Sequence, residues 1–252
     1  MNEPLPKIPS DLVKLLRQVS AATVLTGAGV SAESGVPTFR DAETGVWSQF
    51  KPEELATRDA FRHNPKMVWE WYAQRRAAAA RVTPNAGHYA LAEMERRVPR
   101  LTLITQNVDG LHRRAGSRNI VDLHGNIARV KCFKEDTVVD SWDEHEAPPR
   151  CPRCGSYLRP DVVWFGEMLP PGAMEKAFLA ARTADVFFSI GTSGEVEPAA
   201  SLPFEALDYG KVVVEINPDR TPLSRHATFR LAGRSGAVLP QLVQAVWGEG
   251  RV

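Results

Sequence analysis

The stretch that decides the fold is TVLTGAGVSAESGVPTFR, residues 23–40. Its first four residues are apolar or β-branched, and they stop abruptly at Gly27-Ala28-Gly29. This pattern predicts a short buried strand that ends in a glycine turn. Because glycine has no side chain, a ligand can approach the backbone of such a turn closely. Residues 31–34 can then open a helix whose free N–H groups face the turn, which predicts a pyrophosphate site.

Two features of this stretch differ from the dinucleotide-binding pattern of dehydrogenases. The glycine spacing is G-A-G-V-S, whereas the dehydrogenase pattern is G-x-G-x-x-G. A second strand ending in a ribose-binding acid should follow about 20 residues later. That region holds Gly45, Trp47 and Phe50 instead. The sequence therefore predicts a nucleotide site that does not serve hydride transfer.

Length, charge and composition exclude several classes of protein. The chain has 252 residues, 43% of them apolar, and a formal net charge of +1. This length predicts one large domain, or one domain with an inserted module. A nearly neutral chain has no overall field that attracts nucleic acid. No apolar run approaches the ~20 residues that span a bilayer, and residues 1–9 lack the apolar core of a signal peptide.

The cysteines indicate the cellular compartment. There are three, and two of them form one C-x-x-C motif, which suits a metal site or a reducing compartment better than a disulfide framework. We therefore expect a soluble cytoplasmic protein that binds neither nucleic acid nor membranes, and we expect a monomer.

Buried strands alternate with amphipathic helices along the chain. Ser10 is expected to cap a first helix, and Asn64-Pro65 is expected to start another that runs to about Arg81. Two more helices are predicted over residues 88–97 and 238–247. The predicted strands are residues 23–26, 101–105, 120–123, 185–190 and 212–216. This alternation predicts an α/β fold, a Rossmann-like parallel sheet with helices on both faces.

Polar or glycine-rich clusters follow most of these strands. They are Gln106-Asn107-Val108-Asp109, His124-Gly125, Gly191-Thr192-Ser193-Gly194 and Asn217. In open α/β sheets, ligands bind beyond the carboxyl ends of the strands. The clusters are therefore expected to meet in one site.

Together with the first stretch, these residues resemble the sirtuins, a family of NAD-dependent protein-lysine deacylases. The matching motifs are GAGVS (27–31), PTFR (37–40), TQNVD (105–109), HG (124–125), VWFGE (163–167), GTS (191–193) and Asn217. They occur in the order of the family over residues 20–248.

The resemblance implies a single catalytic unit with two lobes. The large Rossmann-like lobe is expected over about residues 1–40, 85–127 and 165–252. The small lobe is expected to combine a helical insertion, about residues 41–84, with a zinc-ribbon-like module, about residues 128–164.

The resemblance also implies an NAD site and a catalytic histidine. His124 would act as general base on a ribose hydroxyl, with Asn107 and Asp109 as further catalytic residues. Imidazole suits this role because its ordinary pKa of ~6.5 leaves it mostly neutral at physiological pH. The products would be nicotinamide and O-acyl-ADP-ribose. The implied NAD-binding residues are Gly27, Ala28, Gly29, Ser31, Phe39, Arg40, Gln106, Asn107, Asp109, Gly191, Thr192, Ser193, Asn217 and Ser235.

The implied substrate is an acylated lysine peptide, bound as an added strand between two segments. Tyr72 and Arg75 are three positions apart on a predicted helix, and so share one face. Tyr-x-x-Arg at this place resembles the sirtuins that remove succinyl, malonyl or glutaryl groups, and Ala42 would leave room for the longer acyl chain. The implied substrate residues are Ala42, Tyr72, Arg75, Val163, Phe165, Gly194, Glu195 and Val196.

The cysteine module differs from the family pattern. Cys151-Pro152-Arg153-Cys154 has the spacing of half a zinc site, and Cys132 lies in the region of the other half. The residue expected to be the fourth cysteine is Glu135. A fourth ligand could come from Glu135, Asp136 or His145, or the metal could be weakly held or lost. Any zinc here is expected to be structural.

Two other functions stay open at this point. A mono-ADP-ribosyltransferase would use the same NAD but a different acceptor. A non-catalytic NAD sensor would bind NAD without turnover, and the complete catalytic set argues against it. A dehydrogenase is disfavoured further because it would need the ribose-binding acid.

Overall fold

The computed structural model describes residues 6–37, 52–143 and 145–248. Its strands are β1 (Ala21–Thr26), β2 (Arg100–Thr105), β3 (Ile120–Asp122), β4 (Gly125–Cys132), β5 (Val138–Val139), β6 (Leu158–Val162), β7 (Val186–Ile190), β8 (Val212–Ile216) and β9 (Phe229–Leu231). The α-helices are Ser10–Leu16, Gly29–Ala32, Pro52–Leu55, Arg58–His63, Pro65–Arg81, Ala86–Arg97, Leu111–Arg114, Ala173–Thr183, Leu202–Asp208 and Ser235–Trp247; two 3₁₀ turns lie at Ala199–Ser201 and Pro222–Arg225.

Six strands form one sheet in the order β3-β2-β1-β7-β8-β9. Each neighbouring pair is parallel. The strand order therefore reverses between β1 and β7, where Rossmann-like sheets bind their ligands. Thr26 is level with Thr105 of β2 and Ile190 of β7, so these strands end at the same edge. The predicted α/β fold is confirmed.

Each face of this sheet has its own hydrophobic core. On one face, Val24, Leu103 and Val214 pack with Leu91 and Leu242 of two covering helices. On the other face, Leu25 and Phe187 pack with residues of the helices Ala173–Thr183 and Leu202–Asp208. No helix in the described ranges is long and apolar enough to cross a membrane.

The predicted elements were found, but one helix cap was wrong and several elements were not predicted, among them β9 and the helices Ala173–Thr183 and Leu202–Asp208. The helix predicted from Pro65 to about Arg81 has those bounds. Ser10 does not cap its helix, because Pro9 is the N-cap residue and no side chain caps this end. Strands β4 and β6 were not predicted because charged residues interrupt their apolar pattern. Arg129 of β4 pairs with Asp161 of β6 at 2.7 Å, so these charges are satisfied across the strands.

Strands β4, β5 and β6 form a separate antiparallel sheet in the order β5-β4-β6. A third hydrophobic core joins this sheet to the preceding helices. Phe61 and Tyr72 of those helices pack in it with Leu158 and Trp164. The Phe61 and Trp164 rings are 5.4 Å apart, centroid to centroid.

A buried ion pair fixes the chain after β6. The guanidinium of Arg159 is fully buried and donates to both carboxylate oxygens of Glu167, at 2.5 and 2.9 Å. It also stacks 3.4 Å from the Trp164 ring centroid. Burial disfavours the charged carboxylate of Glu167, but hydrogen bonds from Arg159 outweigh this and hold its pKa below the ordinary value. The segment between these residues is therefore held in one conformation.

We predict that Arg159→Met lowers the free energy of unfolding by about 3 kcal/mol, because it leaves the Glu167 carboxylate buried without its main partner. The matched control is Arg129→Met, which breaks a partly exposed ion pair with Asp161 and should cost less than ~1 kcal/mol. Chemical denaturation of both variants at neutral pH gives the comparison. Equal losses would show that the buried pair has no special importance.

Candidate active site

The ends of β1 and β7 interlock through three glycines. The Gly29 N–H donates to the Gly191 carbonyl at 2.8 Å, and the Gly27 N–H donates to the Ile190 carbonyl at 3.1 Å. A Cβ atom on Gly27 or Gly29 would lie 2.8 Å from the Gly191 oxygen. Gly191 itself has a φ of +58°, and a Cβ there would lie 2.6 Å from the Val30 nitrogen. Only glycine fits at these positions.

The predicted row of free N–H groups at this turn is wrong. The amides of Val30 and Ser31 donate to the carbonyls of Gly27 and Ala28. The helix that follows, Gly29–Ala32, has only four residues. Among the amides of residues 27–31, only that of Ala28 has no backbone acceptor in the described part of the chain. The turn therefore offers a ligand close backbone approach rather than a set of N–H donors.

Polar side chains from β2 and β8 converge on the same turns. Asn107 donates from Nδ2 to the Gly27 carbonyl at 3.0 Å. Gln106 donates from Nε2 to the Thr192 hydroxyl at 3.0 Å, and Asn217 donates from Nδ2 to the Thr192 carbonyl at 2.9 Å. The structure thus brings together residues that are more than 100 positions apart in the sequence.

Asp109 is held against Ser31. The Ser31 hydroxyl donates to its carboxylate at 2.7 Å, and the Leu111 N–H donates to its other oxygen at 2.8 Å. Burial raises the pKa of Asp109 above its ordinary value, although these two hydrogen bonds oppose the shift. Ser31 also lies 3.2 Å from Nδ2 of Asn107, so its hydroxyl connects both predicted catalytic residues.

Two buried histidines lie beside this network, and His88 also helps start its helix, because it forms a capping box with Asn85. The rings of His88 and His112 are 4.8 Å apart, centroid to centroid. The Asn85 N–H donates to Nδ1 of His88, so Nε2 carries the hydrogen and faces the Ser31 hydroxyl at 3.4 Å. Burial lowers the pKa of His88 to about 4 and that of His112 to about 3. Both rings are therefore neutral at physiological pH, and no local sequence signal distinguishes them from ordinary core histidines.

His124 lies at the same edge of the sheet. Its Nδ1 is 3.0 Å from the Gln106 carbonyl oxygen. A carbonyl only accepts, so Nδ1 carries the hydrogen of the neutral ring and Nε2 keeps a free lone pair. Burial lowers the pKa of His124, against a smaller opposing effect of the Gln106 carbonyl. The next residue must be glycine, because Gly125 has a φ of +82° and a Cβ there would lie 2.2 Å from the Asp161 oxygen.

The segment after β6 runs directly beside His124. The Val163 N–H donates to the His124 carbonyl, and the Phe165 N–H donates to the Ala56 carbonyl, both at 2.9 Å. The Phe165 side chain stays 55% exposed. The other predicted peptide contacts, Gly194, Glu195 and Val196, follow β7. The Gly194 N–H donates to the Thr192 hydroxyl at 3.4 Å.

Tyr72 and Arg75 lie on one side of the helix Pro65–Arg81. The buried Tyr72 oxygen accepts a hydrogen bond from Nε1 of Trp164 at 3.0 Å, and burial raises the pKa of Tyr72 to about 12. The Arg75 guanidinium stacks 4.7 Å from the centroid of the Trp71 ring. Burial also lowers the pKa of Arg75. No carboxylate in the described ranges forms a salt bridge with Arg75.

Four further residues were predicted to belong to the site. Ser235 is buried, and its hydroxyl has no hydrogen-bond partner within the described residues. Phe39, Arg40 and Ala42 lie outside the described residues.

Three cysteines and one glutamate converge at the end of β4. One ligand atom from each of Cys132, Glu135, Cys151 and Cys154 lies within 4.8 Å of all the others. The Sγ atoms of Cys132 and Cys154 are 3.5 Å apart, and the Glu135 N–H points at Cys132 Sγ. These donors and their spacing fit a structural zinc ion, which prefers four ligands including thiolates.

Comparison with known proteins places this arrangement in a family. A model of the Sir2 family matches residues 27–198. A protein from Aquifex aeolicus, named NAD-dependent protein deacylase, is 50% identical over 220 residues, which cover 86% of this chain and 92% of that protein. A protein of the same name from Pyrococcus furiosus is 48% identical over 244 residues, which cover 94% of this chain and 97% of that protein.

Solved structures agree with this placement. A crystal structure of a Sir2 homologue–NAD complex is 45% identical with a TM-score of 0.88, and the match covers 97% of this chain and 96% of that one. A Sir2–p53 peptide–NAD⁺ structure is 30% identical with a TM-score of 0.82, covering 93% and 97%. With the family model matching well over half of its length, this chain belongs to the Sir2 family.

Proposed function

We propose that this protein is an NAD-dependent protein-lysine deacylase in which His124 is the general base. The observation that carries the proposal is the placement of His124, whose Nδ1–H is held by the Gln106 carbonyl at the edge where the polar clusters meet. Relatives about 50% identical over most of the chain bear the name NAD-dependent protein deacylase, which supports the same activity here.

When bound, NAD would supply the ribose that accepts the acyl group from lysine, so that the products would be nicotinamide, O-acyl-ADP-ribose and the free lysine side chain. The three interlocked glycines would let its pyrophosphate approach the backbone closely. The unpartnered Ser235 hydroxyl is a fitting contact on the adenine side. The residues proposed to hold NAD are Gly27, Ala28, Gly29, Ser31, Phe39, Arg40, Gln106, Asn107, Asp109, Gly191, Thr192, Ser193, Asn217 and Ser235.

The role of His124 follows from its tautomer. With Nδ1–H fixed, the Nε2 lone pair can take a proton from a ribose hydroxyl, so that the acyl group migrates to the ribose oxygen. The lowered pKa keeps the ring in this basic form. Asn107 and Asp109 are held by Ser31, which would orient them toward the nicotinamide ribose.

The acylated peptide would lie between the segment after β6 and the turn after β7. The N–H groups of Val163, Trp164 and Phe165 already bond within the protein. Where a peptide strand pairs with this segment, it would therefore have to donate its own N–H groups. Val163, Phe165, Gly194, Glu195 and Val196 are the proposed contacts.

Tyr72 and Arg75 would extend the substrate range to acidic acyl groups. Because Trp164 donates to the Tyr72 oxygen, the hydroxyl hydrogen of Tyr72 is left to donate elsewhere. The Arg75 guanidinium stacks on Trp71 and forms no salt bridge within the described residues. A succinyl, malonyl or glutaryl carboxylate could accept hydrogen bonds from both groups. Ala42 would leave space for the chain.

Four sequence predictions accompany this proposal. They are the division into two lobes with the bounds given above, a monomeric state, a cytoplasmic location and no binding of nucleic acid. The three cysteines, Cys132, Cys151 and Cys154, would hold a zinc ion that stabilises the small sheet without a part in the reaction.

The direct test incubates the protein with NAD and matched acetyl-lysine and succinyl-lysine peptides. We expect nicotinamide release equimolar with deacylated peptide, and a product with the mass of O-acyl-ADP-ribose. A mass increase of a protein by ADP-ribose would instead indicate a transferase. NAD binding without nicotinamide release would indicate a sensor.

The pH profile tests the general base. Activity falls as the pH drops through the pKa of His124, because only the neutral ring accepts a proton. Since burial lowers this pKa, the acidic limb of kcat/KM should lie below the ordinary histidine value of about 6.5. His124→Ala should lower the rate by about 10²–10⁴-fold and remove the limb. His63→Ala, an exposed histidine, is the control. A limb that persists in His124→Ala would refute the assignment.

Substitution of Arg75 tests the acidic-acyl pocket. Arg75→Met should lower kcat/KM for the succinyl peptide by about 10–100-fold, the value of one charged hydrogen bond of roughly 1.5–3 kcal/mol. The acetyl peptide should change by less than about 3-fold, because it has no carboxylate to bind. Arg81→Met removes an exposed arginine of the same helix and is the matched control. Equal losses for the two peptides would contradict the pocket.

A further inference from the structure

The sequence leaves three candidates for the fourth ligand of the cysteine cluster, and the structure separates them. Glu135 places a carboxylate oxygen within 4.8 Å of all three sulfur atoms. Asp136 points elsewhere, since its carboxylate pairs with Lys131 and Arg58, both at 3.4 Å. His145 does not belong to the cluster. Glu135 is therefore the one candidate of the three that faces the thiols.

Arg153 holds the Glu135 carboxylate in this place. Its guanidinium donates to Oε2 of Glu135 at 2.5 Å and to the Thr137 hydroxyl. Arg153 lies between Cys151 and Cys154 in the sequence, so the turn that carries two of the thiols also binds the Glu135 carboxylate. With one oxygen bound to Arg153, the other oxygen of the carboxylate can face the sulfur atoms.

A backbone N–H group also faces the thiols. The Glu135 N–H donates to the Cys132 sulfur at 3.4 Å. Such N–H groups stabilise thiolates. Four anionic ligands around a dication leave a net negative charge, which the Arg153 guanidinium partly offsets.

We infer that this chain builds a three-thiolate, one-carboxylate zinc site in which Glu135 is the fourth ligand and Arg153 is its positioning residue. A carboxylate is a harder ligand than a thiolate, so zinc should leave this site faster than it would leave four thiolates. The inference does not depend on the deacylase activity proposed above.

The test uses the full-length protein loaded with zinc, and follows release of the ion to a chromogenic chelator. Glu135→Gln, which keeps the size of the side chain, should release zinc at least about 10-fold faster than the wild type. Arg153→Met should also speed release, by a smaller factor. Glu135→Cys should slow it. Asp136→Asn is the matched control, and it should behave like the wild type.

Cobalt substitution counts the thiolates independently. The sulfur-to-cobalt charge-transfer band of Glu135→Cys should be stronger than that of the wild type by about one third, the step from three thiolates to four. Absence of stoichiometric zinc in the wild type, equal release rates for Glu135→Gln and Asp136→Asn, or equal cobalt bands would each overturn the inference. All three readouts come from resting protein, so a failure of the proposed activity would not affect them.

Discussion

The close contact between the ends of β1 and β7 is the constraint on which the site depends. The backbones meet where Gly29 donates to Gly191, and a side chain on Gly27, Gly29 or Gly191 would collide with the facing turn. This contact lies at the point where the strand order reverses. It sets the position of Thr192, and Thr192 in turn receives hydrogen bonds from Gln106 and Asn217. One backbone contact thus aligns side chains from two other strand ends, those of β2 and β8.

Behind this contact lies a largely buried polar network. The Ser31 hydroxyl accepts from Asn107, faces Nε2 of His88 and donates to Asp109. Because His88 and His112 stay neutral, the network carries a single formal charge, the Asp109 carboxylate. Hydrogen bonds of this kind are stronger in a low-dielectric interior than in water. Asn107 and Asp109 are therefore held in place before any ligand arrives, which is what a preorganised active site needs.

A series of side-chain and backbone contacts also connects the small sheet to the site. Arg159 clamps Glu167 and stacks on Trp164, and Trp164 donates to the Tyr72 hydroxyl. The backbone of this segment continues to His124 through the Val163 N–H. The proposed base and the proposed acyl-binding residues thus share one rigid support.

Sequence reasoning predicted the parts that local patterns determine. Five of the six strands of the large sheet and the helix from Pro65 are encoded by apolar runs, periodicity and a capping asparagine, so they were predicted within a few residues. The sixth strand, β9, has only three residues and was not predicted. The glycine turn was located correctly, but its N–H groups were thought to be free. The amides of Gly27 and Gly29 donate to Ile190 and Gly191, more than 150 residues away, and no local pattern reveals such contacts. Those of Val30 and Ser31 donate within the turn itself.

Side-chain contacts between distant segments could not be predicted from local sequence patterns either. The charges of Arg129 and Lys131 obscured β4, because their partner Asp161 lies on another strand. The hydrogen bond from Arg153 to Glu135 likewise joins two segments that spacing alone does not connect.

Amide hydrogen exchange with and without NAD tests the central claim most directly, namely that the dinucleotide lies across the carboxyl ends of β1, β2, β7 and β8. Saturating NAD should slow exchange in residues 26–31, 105–109, 191–194 and 217, and leave residues 98–101 and 184–186 at the opposite edge unchanged. Protection at the opposite edge, or at neither edge, would contradict the placement of the site.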